Sequence, residues 1–295
     1  MIDTTPFKKL YPFESNWLEL AGIRYHYLDE GPQNAPPLVM LHGNPTWSFY
    51  YRTLIPHLSQ SYRVIVPDHI GCGLSDKPQD YPYTLAQRIQ ELETLIRHLG
   101  LADITLILHD WGGAIGMGYA TRYPGNVAGF VVFNTAAFYL PLLPKRIKVS
   151  RLPGLGDLAI RGLNAFARLA LVFAVSQRRR LTPEIKAGYL APYNNWRNRI
   201  AILRFVQDIP LEATHPSRPL LDQIEKKLSC LQQHPMLIIW GGQDFCFTER
   251  DFLPEWRRRF PAARVQIIPE AGHYVVEDAH ERIAPWIEAF LDGTL

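Results

Sequence analysis

Few folds accept a run of buried-strand residues that ends in a glycine-rich turn and passes at once into a helix. This chain holds one such run at Leu106-Ile107-Leu108-His109-Asp110-Trp111-Gly112-Gly113, followed directly by Ala114-Ile115-Gly116-Met117-Gly118-Tyr119-Ala120. The small-x-nucleophile-x-Gly turn lifts one reactive side chain at the end of a sheet strand. The nucleophile position holds Asp110, where such turns usually hold Ser. A carboxylate can displace a leaving group from carbon to give an ester, which water activated by a His then opens.

The surrounding pattern agrees with a mostly parallel sheet flanked by helices. Strands are expected at Ile23–Leu28, Leu38–His42, Val64–Asp68 and Gly129–Asn134, and a helix at Leu85–Leu99 that stops at Gly100. From Phe138 to Leu231 strand signals vanish, and prolines, arginines and helical periods take over. Strands return at Met236–Gly241 and Val265–Pro269, and Pro285–Leu291 reads as a closing helix. The expected organisation is an α/β core of residues 1–137 and 232–295, with residues 138–231 inserted as a helical lid, or cap, over the active face.

With 295 residues, 47% of them hydrophobic, the chain is long enough for a large core. The formal charge of +3 is small, and the only basic runs are Arg178-Arg179-Arg180 and Arg257-Arg258-Arg259. Those read as solvated helix faces or ends, so no nucleic-acid partner is expected. Cys72, Cys230 and Cys246 lie far apart without a CxxC, which fits a reducing compartment. No apolar h-region and no run of eighteen apolar residues occurs, so a cytoplasmic protein is expected.

Three acid/base residues fall at strand ends in the order nucleophile, acid, His: Asp110, Asp244 and His273. In such a site His273 polarises water against the ester on Asp110, while Asp244 holds the imidazole's tautomer and stabilises the imidazolium. Asn44 and Trp111 stand where this arrangement supplies oxyanion-hole amides, and their side chains add a carboxamide NH₂ and an indole N–H for a departing halide or carboxylate. Asn134 also follows a strand but is uncharged, which favours Asp244 as the acid. Asp68 is expected to brace its loop, and His42 and His109 to be supporting core histidines. Cys72 and Cys246 have no activating neighbour. No HExxH or acidic cluster suggests a metal, and neither Gly-x-Gly follows a strand as a dinucleotide loop must, so neither metal nor cofactor is expected.

With these residues in place, the chain resembles the haloalkane dehalogenase family of α/β-hydrolases. The carrying motifs are His42-Gly43-Asn44-Pro45-Thr46-Trp47, Pro67-Asp68-His69-Ile70-Gly71, Leu74-Ser75-Asp76-Lys77-Pro78 and His109-Asp110-Trp111-Gly112-Gly113. The resemblance implies the α/β-hydrolase fold, with Asp110 as nucleophile, His273 as base, Asp244 as acid, and Asn44 and Trp111 as the anion-binding pair. A closer likeness is to the β-lactone decarboxylases of bacterial olefin biosynthesis. It rests on Asn134–Phe138, Ala191–Trp196, Phe205–Leu211 and His273–Asp278. That likeness implies a cis-β-lactone (a 3,4-dialkyl-oxetan-2-one) opened by Asp110 with loss of CO₂ to a cis-alkene, His273 helping water to regenerate the enzyme.

The alternative is a true haloalkane dehalogenase that releases halide and an alcohol. An epoxide hydrolase would need lid tyrosines such as Tyr189 or Tyr193, whose expected role is packing. A non-catalytic binding protein on the same fold is disfavoured because no triad member is missing. In the lid, Leu163, Phe166, Leu169, Ala170 and Phe173 form an apolar stripe expected to line a cavity for a small hydrophobic substrate. The stripe could otherwise meet a partner enzyme or a membrane surface that delivers a waxy substrate.

Overall fold

The computed structural model describes residues 2–295, and eight strands of the chain form one sheet. They are β1 (Asn16–Leu20), β2 (Ile23–Glu30), β3 (Pro37–Leu41), β4 (Arg63–Pro67), β5 (Ile104–Asp110), β6 (Val127–Thr135), β7 (Met236–Gly241) and β8 (Arg264–Ile268). Their order is β1-β2-β4-β3-β5-β6-β7-β8. β2 runs antiparallel to β1 and β4, and every later pair is parallel. Parallel neighbours need crossovers, and helices supply them: α1 (Ile55–Leu58), α2 (Leu85–His98) and α3 (Trp111–Ala120) join the strands up to β6.

β5 is buried along its whole length, as a central parallel strand must be. Its side chains alternate between two cores. Leu106 and Leu108 join Ile89 and Leu92 of α2 and Ile115 of α3 on one face. Ile107 joins Ile283 and Ile287 of the final helix on the other. Thr84 caps α2 by accepting the Gln87 N–H, and the helix ends before Gly100, whose φ of +62° suits a residue without Cβ.

Between β6 and β7 lie α4 (Lys145–Ser150), a π-helical turn at Asp157–Gly162, α5 (Ala165–Phe173), α6 (Pro183–Leu190), α7 (Ile200–Gln207) and α8 (Arg218–Lys227). Ile147, Ile160 and Ala167 bury against Ile202, Leu203 and Val206 of α7, giving this layer a small core of its own. α8 behaves differently from the layer before it. Its Leu221 and Ile224 belong to the main core, where Gly118 of α3 leaves space for Ile89 of α2 and, beside it, for Ile224. A parallel β6–β7 connection must recross the sheet, and α8 performs that crossing. By its packing, then, the stretch from Arg218 to Leu231 sits with the sheet, although its composition groups it with the insertion.

α9 (Glu249–Arg259) joins β7 to β8, and α10 (Val275–Leu291) follows β8. α10 starts well before Pro285. Burial of Ile283, Ala284 and Ile287 outweighs the one intrahelical bond that the proline removes. Strand β1 is a short edge strand that buries none of its five residues fully, so its sequence carries little strand signal. Among the described residues no helix is long and apolar enough to cross a membrane.

Candidate active site

Asp110 is both the last residue of β5 and the residue before α3, with φ +50° and ψ −125°. That backbone region favours glycine, so its use by Asp marks a strained turn held by its surroundings. Two glycines give it room. A Cβ on Gly43 would run into the Asp110 carboxylate, and one on Gly113 into the Thr135 side chain. The Thr135 hydroxyl donates to the main-chain carbonyl of Asp110 and pins the turn from β6.

The carboxylate is held asymmetrically. Oδ1 accepts the backbone N–H of Asn44 at 2.7 Å, and Oδ2 stands 3.5 Å from Nε2 of His273. On the far side of the ring, His273 Nδ1 meets Asp244 Oδ2 at 2.8 Å. Asp244 Oδ1 accepts the N–H groups of Cys246 and Phe247 at 2.6 and 3.1 Å, fixing the acid just beyond β7. The structure therefore brings Asp110, His273 and Asp244 into one line, although they are spread over the chain.

Electrostatics follow from this line. Burial alone would push the imidazolium of His273 toward its neutral form, but Asp244 and Asp110 overcome it, and the group rises to about 10. Burial would likewise raise Asp110, yet His273 and the Asn44 N–H hold it below the ordinary carboxylate value. In the free protein the two sit as carboxylate and imidazolium.

Asn44 and Trp111 complete the site. Asn44 follows β3, and its carboxamide NH₂ donates one hydrogen to the carbonyl of Ile202 on α7 at 3.2 Å. The second hydrogen remains for a group in the cavity that Asn44 lines. The Trp111 ring lines the same cavity and packs on Phe205, also from α7, at a centroid distance of 5.3 Å. Its backbone N–H lies in the first turn of α3, where no intrahelical acceptor exists.

The cavity has a volume of about 290 Å³ and is bounded by Asp110, His273 and Phe247 below and by α4, α5 and α7 above. Phe166, Leu169, Ala170 and Phe173 of the apolar stripe line it, whereas Leu163 is 66% exposed and does not. Tyr189 and Tyr193 are turned away: the first donates to Glu277 at 2.8 Å and the second to the carbonyl of Thr46 at 3.1 Å. Neither can protonate a ligand in the cavity from there.

Several supporting residues act on the main chain of the site. Asp68 accepts the N–H groups of Ser48 and Leu74 at 2.7 and 2.8 Å and stands 2.8 Å from His26. His42 bonds the Gly43 carbonyl at 2.8 Å, and its other nitrogen accepts the His69 N–H at 3.1 Å. His109 is stacked on Tyr50 and bonds the carbonyl of His273 at 2.9 Å, so it holds the His273 main chain from β5. Burial, then the nearby His273, depress His109 to about 3, keeping it neutral. Asn134 exchanges two hydrogen bonds with the backbone of Gly241, at 2.8 and 3.1 Å, and ties β6 to β7 beside the acid. Thr135 and Phe247, the latter stacked on the His273 ring at 5.7 Å, carry no signal in the sequence alone.

Comparison with known proteins places this geometry in context. Residues 36–279 match the family described as alpha/beta hydrolase fold. The chain is 45% identical to a cis-3-alkyl-4-alkyloxetan-2-one decarboxylase of Shewanella oneidensis, over all of this chain and 92% of the relative. A protein of the same description from Xanthomonas campestris is also 45% identical, over 96% of this chain and 97% of the relative. Haloalkane dehalogenase 2 of Mycobacterium bovis is 34% identical over 96% of each. Among solved structures, a loop variant of the haloalkane dehalogenase DbeA from Bradyrhizobium elkanii superposes with a TM-score of 0.87 at 25% identity, covering 96% of this chain and 97% of the other.

Proposed function

The chain belongs to the α/β-hydrolase fold family, among the relatives of haloalkane dehalogenases and cis-3-alkyl-4-alkyloxetan-2-one decarboxylases, and from that premise we propose that it opens a cis-β-lactone through Asp110 and releases CO₂ and a cis-alkene. The observation that carries the chemistry is the Asp110 carboxylate, which lines an apolar cavity with Oδ1 pinned by the Asn44 N–H and Oδ2 3.5 Å from His273. Support for the lactone comes from the relatives at 45% identity along nearly their full length.

In this reading Oδ2 attacks the ring carbon that bears the lactone oxygen. An Oδ2–C bond forms, the ring C–O bond breaks, and a carboxylate is left on the neighbouring carbon. Trp111 and Asn44 receive that carboxylate as it develops, because donors already oriented need no reorganisation at the transition state. The bond from carbon to carboxylate then breaks, its electrons form the C=C bond, and Asp110 leaves as carboxylate. Inversion at the attacked carbon followed by anti collapse turns a cis lactone into a cis alkene. No water is consumed.

His273 handles an ester that does not collapse. Once Asp110 is esterified, one of the two carboxylates that hold the imidazolium is gone, so the ring loses its proton more readily and becomes a base toward water. The same steps serve the second reading, a haloalkane dehalogenase, in which Oδ2 displaces halide and hydrolysis of the ester is obligatory. Relatives at 34% identity favour keeping it.

Residues 138–217 act as the cap that shapes the pocket, with α8 left to the core. The cavity is small beside the roughly 300–1,000 Å³ of common ligand sites, so alkyl arms of any length must leave through the rim formed by Leu142, Leu169 and Phe173. The three free cysteines accord with a reducing, cytoplasmic setting.

The deciding experiment incubates the protein with a dialkyl cis-β-lactone and, separately, with 1-bromobutane, following alkene and bromide. Rapid alkene with little bromide is expected. Rapid bromide with no alkene would replace the lactone reading by the dehalogenase one.

A further inference from the structure

Of twelve large hydrophobic side chains that stand well exposed, ten fall between Leu142 and Trp196, and the other two are Trp17 and Tyr123. Nine lie in residues 142–173, a stretch made of α4, the π-helical turn, α5 and their joints. The inner side of this layer is satisfied, since Ile147, Ile160 and Ala167 bury against α7. The outer side is not: Leu152, Leu158 and Leu163 are 53%, 58% and 66% exposed. So many exposed apolar side chains within one short stretch of chain mark an interaction site.

Charge identifies the partner. Residues 138–231 hold 16 of the 31 Lys and Arg but only 6 of the 28 Asp and Glu, so this third of the chain is strongly cationic while the remainder is net acidic. Within 142–173 there are six basic residues and one carboxylate, Asp157. Asp157 pairs with Arg161, and Arg151 pairs with Glu212. Lys145, Arg146, Lys148 and Arg168 are exposed and form no ion pair among the described residues. Arg146 lies over the rings of Phe173 and Phe245 at the edge of the cavity, 4.4 and 3.7 Å from their centroids.

From these observations we infer that the outer face of α4, the π-helical turn and α5 docks on an anionic lipid bilayer. Leucines enter the interface, lysines and arginines meet the headgroups, and the cavity mouth is held at the membrane. Leucine and phenylalanine tips interleaved with cations, on a surface almost free of carboxylates, are what an interfacial element needs. Each cation close to an anionic surface adds to the attraction, and the acidic remainder of the chain orients the protein with the cap downward. Cavity and surface share Leu142, Leu169 and Phe173, so a hydrophobic molecule dissolved in the bilayer can reach Asp110 without crossing water. Docking goes beyond the chemistry proposed above, and only the delivery of a lactone rests on that reading.

The test is co-sedimentation of the purified full chain with vesicles of phosphatidylcholine alone and of phosphatidylcholine mixed with phosphatidylglycerol. Binding to the mixed vesicles, little binding to the neutral ones and weakening by salt are expected. Lys145→Glu, Lys148→Glu and Arg168→Glu together should lower the partition by at least about tenfold. Leu152→Gln, Leu155→Gln, Leu158→Gln and Leu163→Gln together should abolish it, while circular-dichroism melting and turnover of a short, water-soluble substrate stay as in the wild type. None of these seven residues lines the cavity. Absence of sedimentation with the mixed vesicles, or equal binding to both kinds, overturns the proposal. So does a wild-type dimer in solution that the four Leu→Gln changes convert to monomer, since a second copy would then cover the face. Because sedimentation needs no turnover, its failure leaves the lactone reading untouched, and a failed lactone assay leaves docking untouched.

Discussion

The backbone N–H of Asn44 donates to Oδ1 of Asp110 at 2.7 Å, across the gap between the ends of β3 and β5. This bond makes the two carboxylate oxygens inequivalent. Oδ1 is committed to the loop, and Oδ2, 3.5 Å from His273, is the oxygen that the proposed reaction uses to form a bond to carbon.

Asp110→Asn keeps the shape and the Asn44 bond but supplies an amide that is a far poorer nucleophile. Turnover of lactone and bromoalkane alike is expected to fall by at least about a thousandfold, with the melting temperature little changed. A stopped assay with purified variant checks this. Activity within tenfold of wild type would remove Asp110 from the mechanism. His273→Ala with 1-bromobutane should in turn accumulate a butyl ester on Asp110, seen as added mass on the intact protein and on the peptide containing it.

Trp111 aims its ring at the cavity and packs on Phe205, so Trp111→Phe preserves much of the apolar contact and deletes the indole donor. Bromide is expected to inhibit the wild type and to inhibit the variant about tenfold less well, in line with the loss of one hydrogen bond to a charged group. An unchanged inhibition constant would mean that the indole only fills space.

His273 gives a pH signature with a defined sign. Its folded value of about 10 lies above the ordinary 6.5. The stability it contributes is therefore complete below about pH 6.5 and declines as pH rises toward 10. Melting temperature followed from pH 6 to pH 10 should fall more in the wild type than in His273→Gln. Parallel curves for the two proteins would contradict an imidazolium between Asp110 and Asp244.

Glu277 receives both terminal nitrogens of Arg52 at 2.8 Å and the hydroxyl of Tyr189 at 2.8 Å, with both charged side chains almost fully buried. This junction fastens α6 of the inserted segment and α10 to the loop after β3. Glu277→Ala strands a buried guanidinium and is expected to destabilise the fold by about 3–5 kcal/mol. Urea unfolding measures it, and a change below about 1 kcal/mol would show that water reaches Arg52 readily.

The parts of this protein that were readable from sequence are those with short-range signatures. The elbow at Asp110 combines a strand, a turn and a helix within a few residues, and the parallel strands carry unbroken apolar runs. The α/β-hydrolase fold follows from them and agrees with the family match. The structure brings Asn44, Asp110, Trp111, Asp244 and His273 together, and each had a strand-end context to find it by. Thr135 and His109 had none, because they act through backbone atoms of other residues. Composition groups α8 with the insertion, because local composition says nothing of which layer a helix packs on. α10 looked shorter than it is because Pro285 reads as a beginning even when tertiary packing carries the helix through it.

Helix α7 supplies the carbonyl of Ile202 that orients the Asn44 carboxamide and the Phe205 ring against which Trp111 rests. Both side chains that the proposed mechanism turns toward a departing anion are thus steadied by the inserted segment, although both are rooted in the sheet. A chimera that trades this segment for a relative's exchanges more than the pocket's contour. It also resets the support of the two donors, so substrate range and leaving-group preference cannot be inherited separately through that swap.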